Sequence, residues 1–398
     1  MPDVPPVTVQ TELDRARRLR ADRQFADAAA AYGRAADMDP AGSARMFQGL
    51  SLRDLGDIAG AVAVLERFVA DQPDSFDGWT TLGMTHRNAG ALEPALAPLR
   101  RALALRDDPA VRNVLVTSLW RLGRHGEARI EGWRNLDLKD RMARAAFAAS
   151  PFAGARLNAG GRAFDPTRAR RNVIAFSLWG DRPEYITGAI VNAQIAPHLY
   201  VGWTARFYCD TSVPADARAA LAQYGAQVVL MDRPEHQRIR PMWRFLAADD
   251  PEVNVFVCRD TDSRLNAREL LAVTDWVRSG RRFHVMRDHI YHMELILAGM
   301  WGGTAGVLPG MADWLAKGAA YFDNRFGDQA FLADLVWPLI RDDVRLHDSQ
   351  YRFPDGIAGD FPPGYDLPGL IHVGGGVKQM PHWSRYFNLD DTAGKESP

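Results

Sequence analysis

The 398-residue chain is 47% hydrophobic and 24% charged, an ordinary globular composition with room for two or three packed domains. Lysine plus arginine number 48 against 49 aspartates and glutamates, and the resulting net charge of -1 leaves no field for sequence-independent nucleic-acid binding. Cys209 and Cys258 stand 49 positions apart in no CxxC or histidine spacing, so neither a disulfide framework nor a zinc site is indicated and a reducing compartment fits. The opening residues, MPDVPPVTVQ, lack a basic region followed by an apolar one. No run of about 18 apolar residues occurs, so a cytoplasmic protein without a membrane span is the expectation. Only four of the basic residues are lysines: Lys139, Lys317, Lys378 and Lys395.

From about Thr11 to Asp140 apolar residues recur at helical spacing, and the stretch is self-similar. The turn glycines Gly56, Gly90 and Gly123 are separated by 34 and 33 residues, each followed five positions later by a small residue, Ala61, Ala95 or Ala128. Pro40 and Pro73 close two of the units. Small side chains let paired helices approach and large apolar ones fill between them, so the spacing predicts four stacked helical hairpins over residues 9–140, the last degenerate. Trp79, Leu82, Gly83, Gly90 and Ala95 in one unit, and Ala28, Tyr32, Ala35 and Pro40 in an earlier one, resemble the tetratricopeptide pattern. That resemblance implies a concave face that holds a protein partner or the acceptor of a reaction; the alternative is an array that only caps or dimerises the second domain.

Residues 141–170 lose the repeat phase, carry Pro151, Gly154, Gly160, Gly161 and Pro166 around a helical stretch at 141–149, and read as a junction. From Asn172 the period changes to short buried runs, at residues 172–178, 204–209, 227–231, 253–258 and 283–286. Helical stretches at 184–195, 214–224, 241–248 and 267–277 alternate with them. This alternation predicts a mostly parallel sheet covered by helices, and hence an α plus α/β chain. Ligands of such sheets bind beyond the carboxyl ends of the strands.

The fourth run ends in Cys258-Arg259-Asp260-Thr261-Asp262. Two carboxylates at this spacing are hard oxygen ligands suited to Mg²⁺ or Mn²⁺ on a phosphate, although a DxD alone also occurs in ordinary solvated loops. Far downstream stands His372-Val373-Gly374-Gly375-Gly376-Val377-Lys378. There an imidazole can complete a metal site with Asp260 and Asp262, Gly375 lets backbone approach a diphosphate, and Lys378 supplies a point charge. The combination points to a nucleoside diphosphate.

The order of a nucleotide-type first strand, a DxD after the fourth and a late HxxGxxK is similar to the GT-A class of nucleotide-sugar glycosyltransferases, most closely the family 8, glycogenin-like enzymes, over residues 171–386. The resemblance implies a nucleoside-diphosphate sugar as donor, with Asp260 on ribose or metal, Asp262 and His372 on Mn²⁺ or Mg²⁺, and Gly375 and Lys378 on the diphosphate. In this chain Lys378 is followed by Gln379 and Met380 before Pro381, His382 and Trp383, where the family pattern runs directly into Pro-Trp, so retention or inversion stays open. Residues 387–398 read as a flexible tail.

In the loop after the first strand, Ser177 faces the nucleotide, Asp181 is placed to hydrogen-bond the base, and Trp179 either stacks on it or packs under the loop. After the fifth strand, Arg287, Asp288 and His289 are candidates for the sugar pocket, whereas His284 and His292 read as structural. Glycines around Trp301 permit close backbone approach, to a sugar or within a turn. Asp328, opening a helix with Gln329, either caps that helix or meets the acceptor and reacting sugar. Asp328 and Asp288 are thus the candidate catalytic carboxylates, and Gln329 a candidate substrate contact. Two other readings compete: a haloacid-dehalogenase-like phosphatase, whose DxD belongs on a first strand, and a non-catalytic repeat scaffold with a silenced transferase domain.

Overall fold

Eight helices pair as four hairpins in the first region: α1 (Val9–Ala21) with α2 (Phe25–Met38), α3 (Ala44–Leu55) with α4 (Ile58–Asp71), α5 (Phe76–Asn88) with α6 (Leu92–Leu105), and α7 (Pro109–Arg121) with α8 (His125–Ala149). The computed structural model describes residues 7–318, 321, 327–365, 367 and 371–376. The repeat signature has a steric cause. Gly56, Gly90 and Gly123 take φ of 95°, 80° and 76°, the left-handed region that a β-carbon disfavours. Ala61, Ala95 and Ala128 have no exposed surface. A β-carbon on Gly49 or Gly83 would stand 2.6 or 2.7 Å from the Cγ of Leu65 or Leu99, so helix contact depends on its absence at both equivalent positions.

The chain divides into two compact units between Leu138 and Lys139, within α8. Lys139 donates to Glu294 at 2.7 Å, and Asp140 accepts from Trp337 Nε1 at 2.7 Å and Arg341 Nε at 3.2 Å, so these residues belong to the second unit. The stretch read as a junction, 141–170, also lies inside that unit: Asn158 donates from its backbone to Val307 O (2.8 Å) and from its side chain to Gly306 O (3.0 Å). Its glycines and prolines shape a loop laid on the domain. The expected tail, 387–398, lies outside the described residues.

The second unit runs β1 (Asn172–Leu178), α9 (Pro183–Leu199), β2 (Thr204–Cys209), α10 (Ala215–Gln223), β3 (Gln227–Leu230), a 3-10 segment (Pro234–Ala248), β4 (Val255–Arg259), α11 (Ala267–Ser279), β5 (Phe283–Arg287), β6 (Trp301–Thr304), α12 (Met311–Lys317), α13 (Gly327–Phe331), a π-helical turn (Leu332–Val336), α14 (Trp337–Ile340), β7 (Val344–Asp348) and β8 (Ala358–Gly359). Its eight-stranded sheet has the order β3-β2-β1-β4-β6-β5-β7-β8. All neighbours are parallel except β6, which is antiparallel to both β4 and β5. Helices α9 and α11 bury Ala189, Ala193 and Trp276 against Phe176 and Phe207 of the sheet.

β6 escapes sequence reading because Trp301-Gly302-Gly303-Thr304 has little strand propensity. Its glycines are sterically required: a β-carbon on Gly302 would come within 2.3 Å of Phe256 O, and one on Gly303 within 2.7 Å of the Phe283 ring. The close approach expected around Trp301 is therefore between neighbouring parts of the protein.

From β1 the chain winds outward to β2 and β3, then returns to place β4 on the other side of β1. This reversal is a topological switch point, the place where open α/β sheets leave a crevice beyond the strand ends.

Candidate functional site

The loop Asp260–Ser263 leaves β4 at that crevice, and helix α9 holds it from below. A β-carbon on Gly188 would lie 2.0 Å from Thr261 O, so only glycine lets α9 pass this close. Asn192, fully buried, donates to Ser263 O at 2.9 Å and accepts from Leu265 N at 3.2 Å. Beneath the loop Arg259 pairs with Glu269 (3.4 Å), itself bonded to Tyr200 at 2.7 Å, with both ionic side chains 1% exposed. Gly299 completes the mould, since a β-carbon there would meet Asp260 Oδ2 at 2.1 Å.

A cavity of about 500 Å³ opens over this loop, lined on one side by Ser177, Trp179 and Gly180 and on the other by Asp260, Thr261, Asp262, Asp328 and Gln329. Residues from the first strand, the DxD and the late helix are thus brought together as expected. Trp179 is 39% exposed and meets Trp243 edge-on, with ring centroids 6.3 Å apart, leaving indole surface on the cavity wall. Ser177 is engaged internally: its hydroxyl donates to Pro241 O (3.2 Å) and accepts from Arg244 N (3.0 Å), anchoring the 3-10 segment beside β1. Asp181 is exposed and is not among the residues lining the cavity.

Arg244, which sequence reading missed, is the central cation. Its side chain is 5% exposed, donates to Asp260 Oδ1 at 2.5 Å and Arg259 O at 2.8 Å, and stands 3.6 Å from Asp328 Oδ2. Its buried Nε has no hydrogen-bond partner. Burial alone would weaken the guanidinium's hold on its proton, but the Asp260 and Asp328 carboxylates hold its pKa above the ordinary value. Asp328 is raised above the usual carboxylate range, chiefly by burial and further by Asp260, with Arg244 pulling the other way. The signal was present: Arg244 lies among Met242, Trp243, Phe245 and Leu246, and a charge in an apolar segment is buried only with partners. Arg182 and Arg244 line the cavity together with three carboxylates, Asp260, Asp262 and Asp328.

The distant glycine turn returns to this loop. Gly376 forms an antiparallel bridge with Ser263, and a β-carbon on Gly376 would stand 3.3 Å from Asp262 Oδ2. Gly375 closes the turn by donating to His372 O at 3.0 Å. The histidine takes a different position from the one expected. Its ring stacks on His289 at 4.3 Å and meets His292 edge-on at 4.8 Å. Among the described residues no group of three or more histidine, cysteine, aspartate or glutamate side chains is arranged to hold a metal ion. The Asp260, Asp262 and His372 triad is therefore not assembled, because imidazole packing takes His372 into a histidine cluster. Asp260 and Asp262 are oxygen donors that line the same cavity. Lys378 lies outside the described residues.

The expected sugar-pocket residues are used within the protein. Arg287 is fully buried, paired with Asp348 at 2.9 Å and bonded to Leu295 O and Phe353 O. Asp288 accepts from Arg268 Nη2 (3.0 Å), Ser349 Oγ (3.0 Å) and Val373 N (3.2 Å), so its carboxylate is engaged within the protein. His289 is pushed down to about 4 by burial and by His372, and His292 well below the ordinary value. His284 is buried as expected, hydrogen-bonded to His347 at 2.9 Å.

The family model of the tetratricopeptide repeat matches residues 13–76 and 48–111. No curated protein matches the chain. Among solved structures it is similar to MamA, at 22% identity over 35% of this chain and 76% of that one, with a TM-score of 0.31. MamA 41-end from Desulfovibrio magneticus RS-1 is 18% identical over 33% of this chain and 75% of that one, with a TM-score of 0.30. The first TPR of Spaghetti (RPAP3), bound to an HSP90 peptide, is 17% identical over 29% and 94%, at 0.28. Likenesses at these scores carry no further argument. On its own period and the family match, the N-terminal region is a tetratricopeptide-repeat array.

Proposed function

We propose that the second unit is a metal-dependent glycosyltransferase that moves a sugar from a nucleoside-diphosphate sugar to an acceptor, with the repeat array docking the acceptor or a protein partner. The observation that carries this reading is the meeting of Ser263 and Gly376, 113 positions apart, beside Asp262 at the mouth of the switch-point cavity. Trp179 offers a face for the base at one end. Arg244 holds a buried positive charge over Asp260 and supports charge developing on the departing diphosphate. A Mn²⁺ or Mg²⁺ ion held by Asp260 and Asp262 would supply the remaining neutralisation of that leaving group. Asp328, with its raised proton affinity, either takes the proton of the incoming hydroxyl, in an inverting reaction, or positions the reacting sugar together with Gln329, in a retaining one.

The rival phosphatase reading requires the first aspartate of the DxD as nucleophile. Here the DxD follows β4 with several strand-helix units before it, whereas that reading needs it after the first strand of its domain. A panel of UDP- and GDP-sugars, assayed for Mn²⁺-dependent release of the nucleoside diphosphate, tests the choice. Release from at least one donor, lost in Asp328→Asn, is expected, and the anomeric configuration of the product decides between inversion and retention. Phosphate release from an aryl phosphate without diphosphate release would favour the phosphatase. Inactivity in both assays would favour the scaffold.

A further inference from the structure

The glycine turn at 372–376 belongs to no long strand or helix, yet it must reach Asp262 for the proposed site to exist. What carries it there is the chain beyond β8. Phe361 and Val373 of that chain pack with Ala272, Met286 and Met300 in a small apolar cluster, and Leu367 lies against it. One polar assembly runs alongside. Arg268, on the first turn of α11 and 12% exposed, makes three hydrogen bonds to the Asp288 carboxylate at 3.0 to 3.2 Å. The same guanidinium donates to Tyr365 O at 3.2 Å and lies over the Phe361 ring, 4.4 Å from its centroid. Asp288 in turn accepts from Val373 N, the residue after His372, and from Ser349 after β7.

We infer that Arg268 and Asp288 form a staple that positions the chain at 361–365 and 371–376 over the DxD loop, making them positioning residues for the glycine turn. The bonds reach Tyr365 O and the Phe361 ring before the turn and Val373 N within it. Asp288 directly follows β5 and Arg268 lies on α11, so the staple refers the turn to the sheet whose β4 leads into Asp260 and Asp262. Lysine cannot reproduce the arrangement, since a single ammonium cannot span a carboxylate, a carbonyl and an aromatic face in one plane. The inference rests on the transferase reading only for its functional consequence; the mechanical claim stands separately.

Hydrogen exchange of the full chain tests the mechanical claim. In the wild type the bonded amides of Val373 and Gly375 should exchange slowly; in Arg268→Ala and in Asp288→Asn they should become fast, while β4, β5 and α11 keep their protection. Unchanged exchange at 371–376 in both variants would overturn the staple. So would a uniform rise across β4, β5 and α11, which would make the pair a general part of the core. For function, titration with UDP and GDP in the presence of Mn²⁺ should show an affinity about tenfold weaker in Arg268→Ala, the size of one lost hydrogen bond from the turn to a charged diphosphate. Binding of uridine and guanosine, which lack the diphosphate, should stay within about twofold of the wild type, and Arg268→Lys should recover only part of the loss. Equal weakening for nucleoside and nucleotide would overturn the positioning role. If no nucleotide binds even the wild type, the transferase reading fails and the exchange result alone decides the staple.

Discussion

In the repeat helices the buried positions are mostly small or aliphatic, with alanines 16, 28, 31, 61, 95, 102 and 128 fully enclosed and each hairpin packed on its neighbours. The second unit encloses charge. Arg259, Glu269, Arg287, Asp348, His284 and His347 are all at most 1% exposed, and each is tied to a partner on another element. A stacked array gains stability from near-neighbour apolar contacts that repeat and add. A sheet that must present loops at one edge uses ionic networks to fix them, and such networks fail abruptly when one member is lost.

The largest expected effect comes from that difference. Arg287→Ala leaves the Asp348 carboxylate buried without its cation and should cost about 3–5 kcal/mol. Calorimetry should show the loss in the transition of the second unit; a loss under 1 kcal/mol would mean the buried pair is not what holds β5 to β7.

Acid should separate the two regions next. His347 is pushed down to about 4, by burial first and then by Arg345, and His284 well below its ordinary value. A histidine with a depressed folded pKa contributes stability that is complete above its unfolded value of about 6.5 and is lost as pH falls toward 4. For His347, whose side chain is fully buried, the shift is worth on the order of 3 kcal/mol. In the repeats Asp54 is held below the ordinary carboxylate value, because hydrogen bonds from Arg20 and Arg53 outweigh the opposing effect of burial. Its contribution is present above that value and lost only below about pH 4. Thermal unfolding between pH 7 and 4 should therefore lower the second transition first; a parallel decline of both would break the comparison.

The smallest effects lie in the turns. Gly56, Gly90 and Gly123 have positive φ and nothing within 4 Å of an added β-carbon, so alanine at each costs only the backbone strain of about 1–2 kcal/mol. Sites this far apart in a repeat should add, and a triple variant checks that.

The same contrast governs what could be read from the residues alone. Repeats announce themselves because each unit restates the same steric solution, and β1 and β2 were legible as uninterrupted buried runs. β6 was not, since Gly302 and Gly303 answer to Phe256 and Phe283, contacts that no local pattern records. Asp260, Asp262, Asp328, Gln329 and Trp179 were found by their places after strands and at a helix start, and all line one cavity. Arg287 and Asp288 have similar places in sequence, yet their partners Asp348 and Arg268 lie 61 and 20 residues away and absorb them. Local position shows that a charge leaves a strand; only the fold shows whether it turns inward. Arg244 makes the converse case, an inward charge whose partners happen to be the site.

The central claim is that the loop at Asp260 and Asp262 receives a nucleoside diphosphate together with a divalent cation. Calorimetric titration with UDP and GDP, with and without Mn²⁺, in the wild type and in Asp262→Ala, tests it most directly. Binding of at least one nucleotide only when Mn²⁺ is present, abolished by the substitution, is the predicted result. Absence of Mn²⁺-dependent binding, or an affinity unchanged in Asp262→Ala, would contradict it.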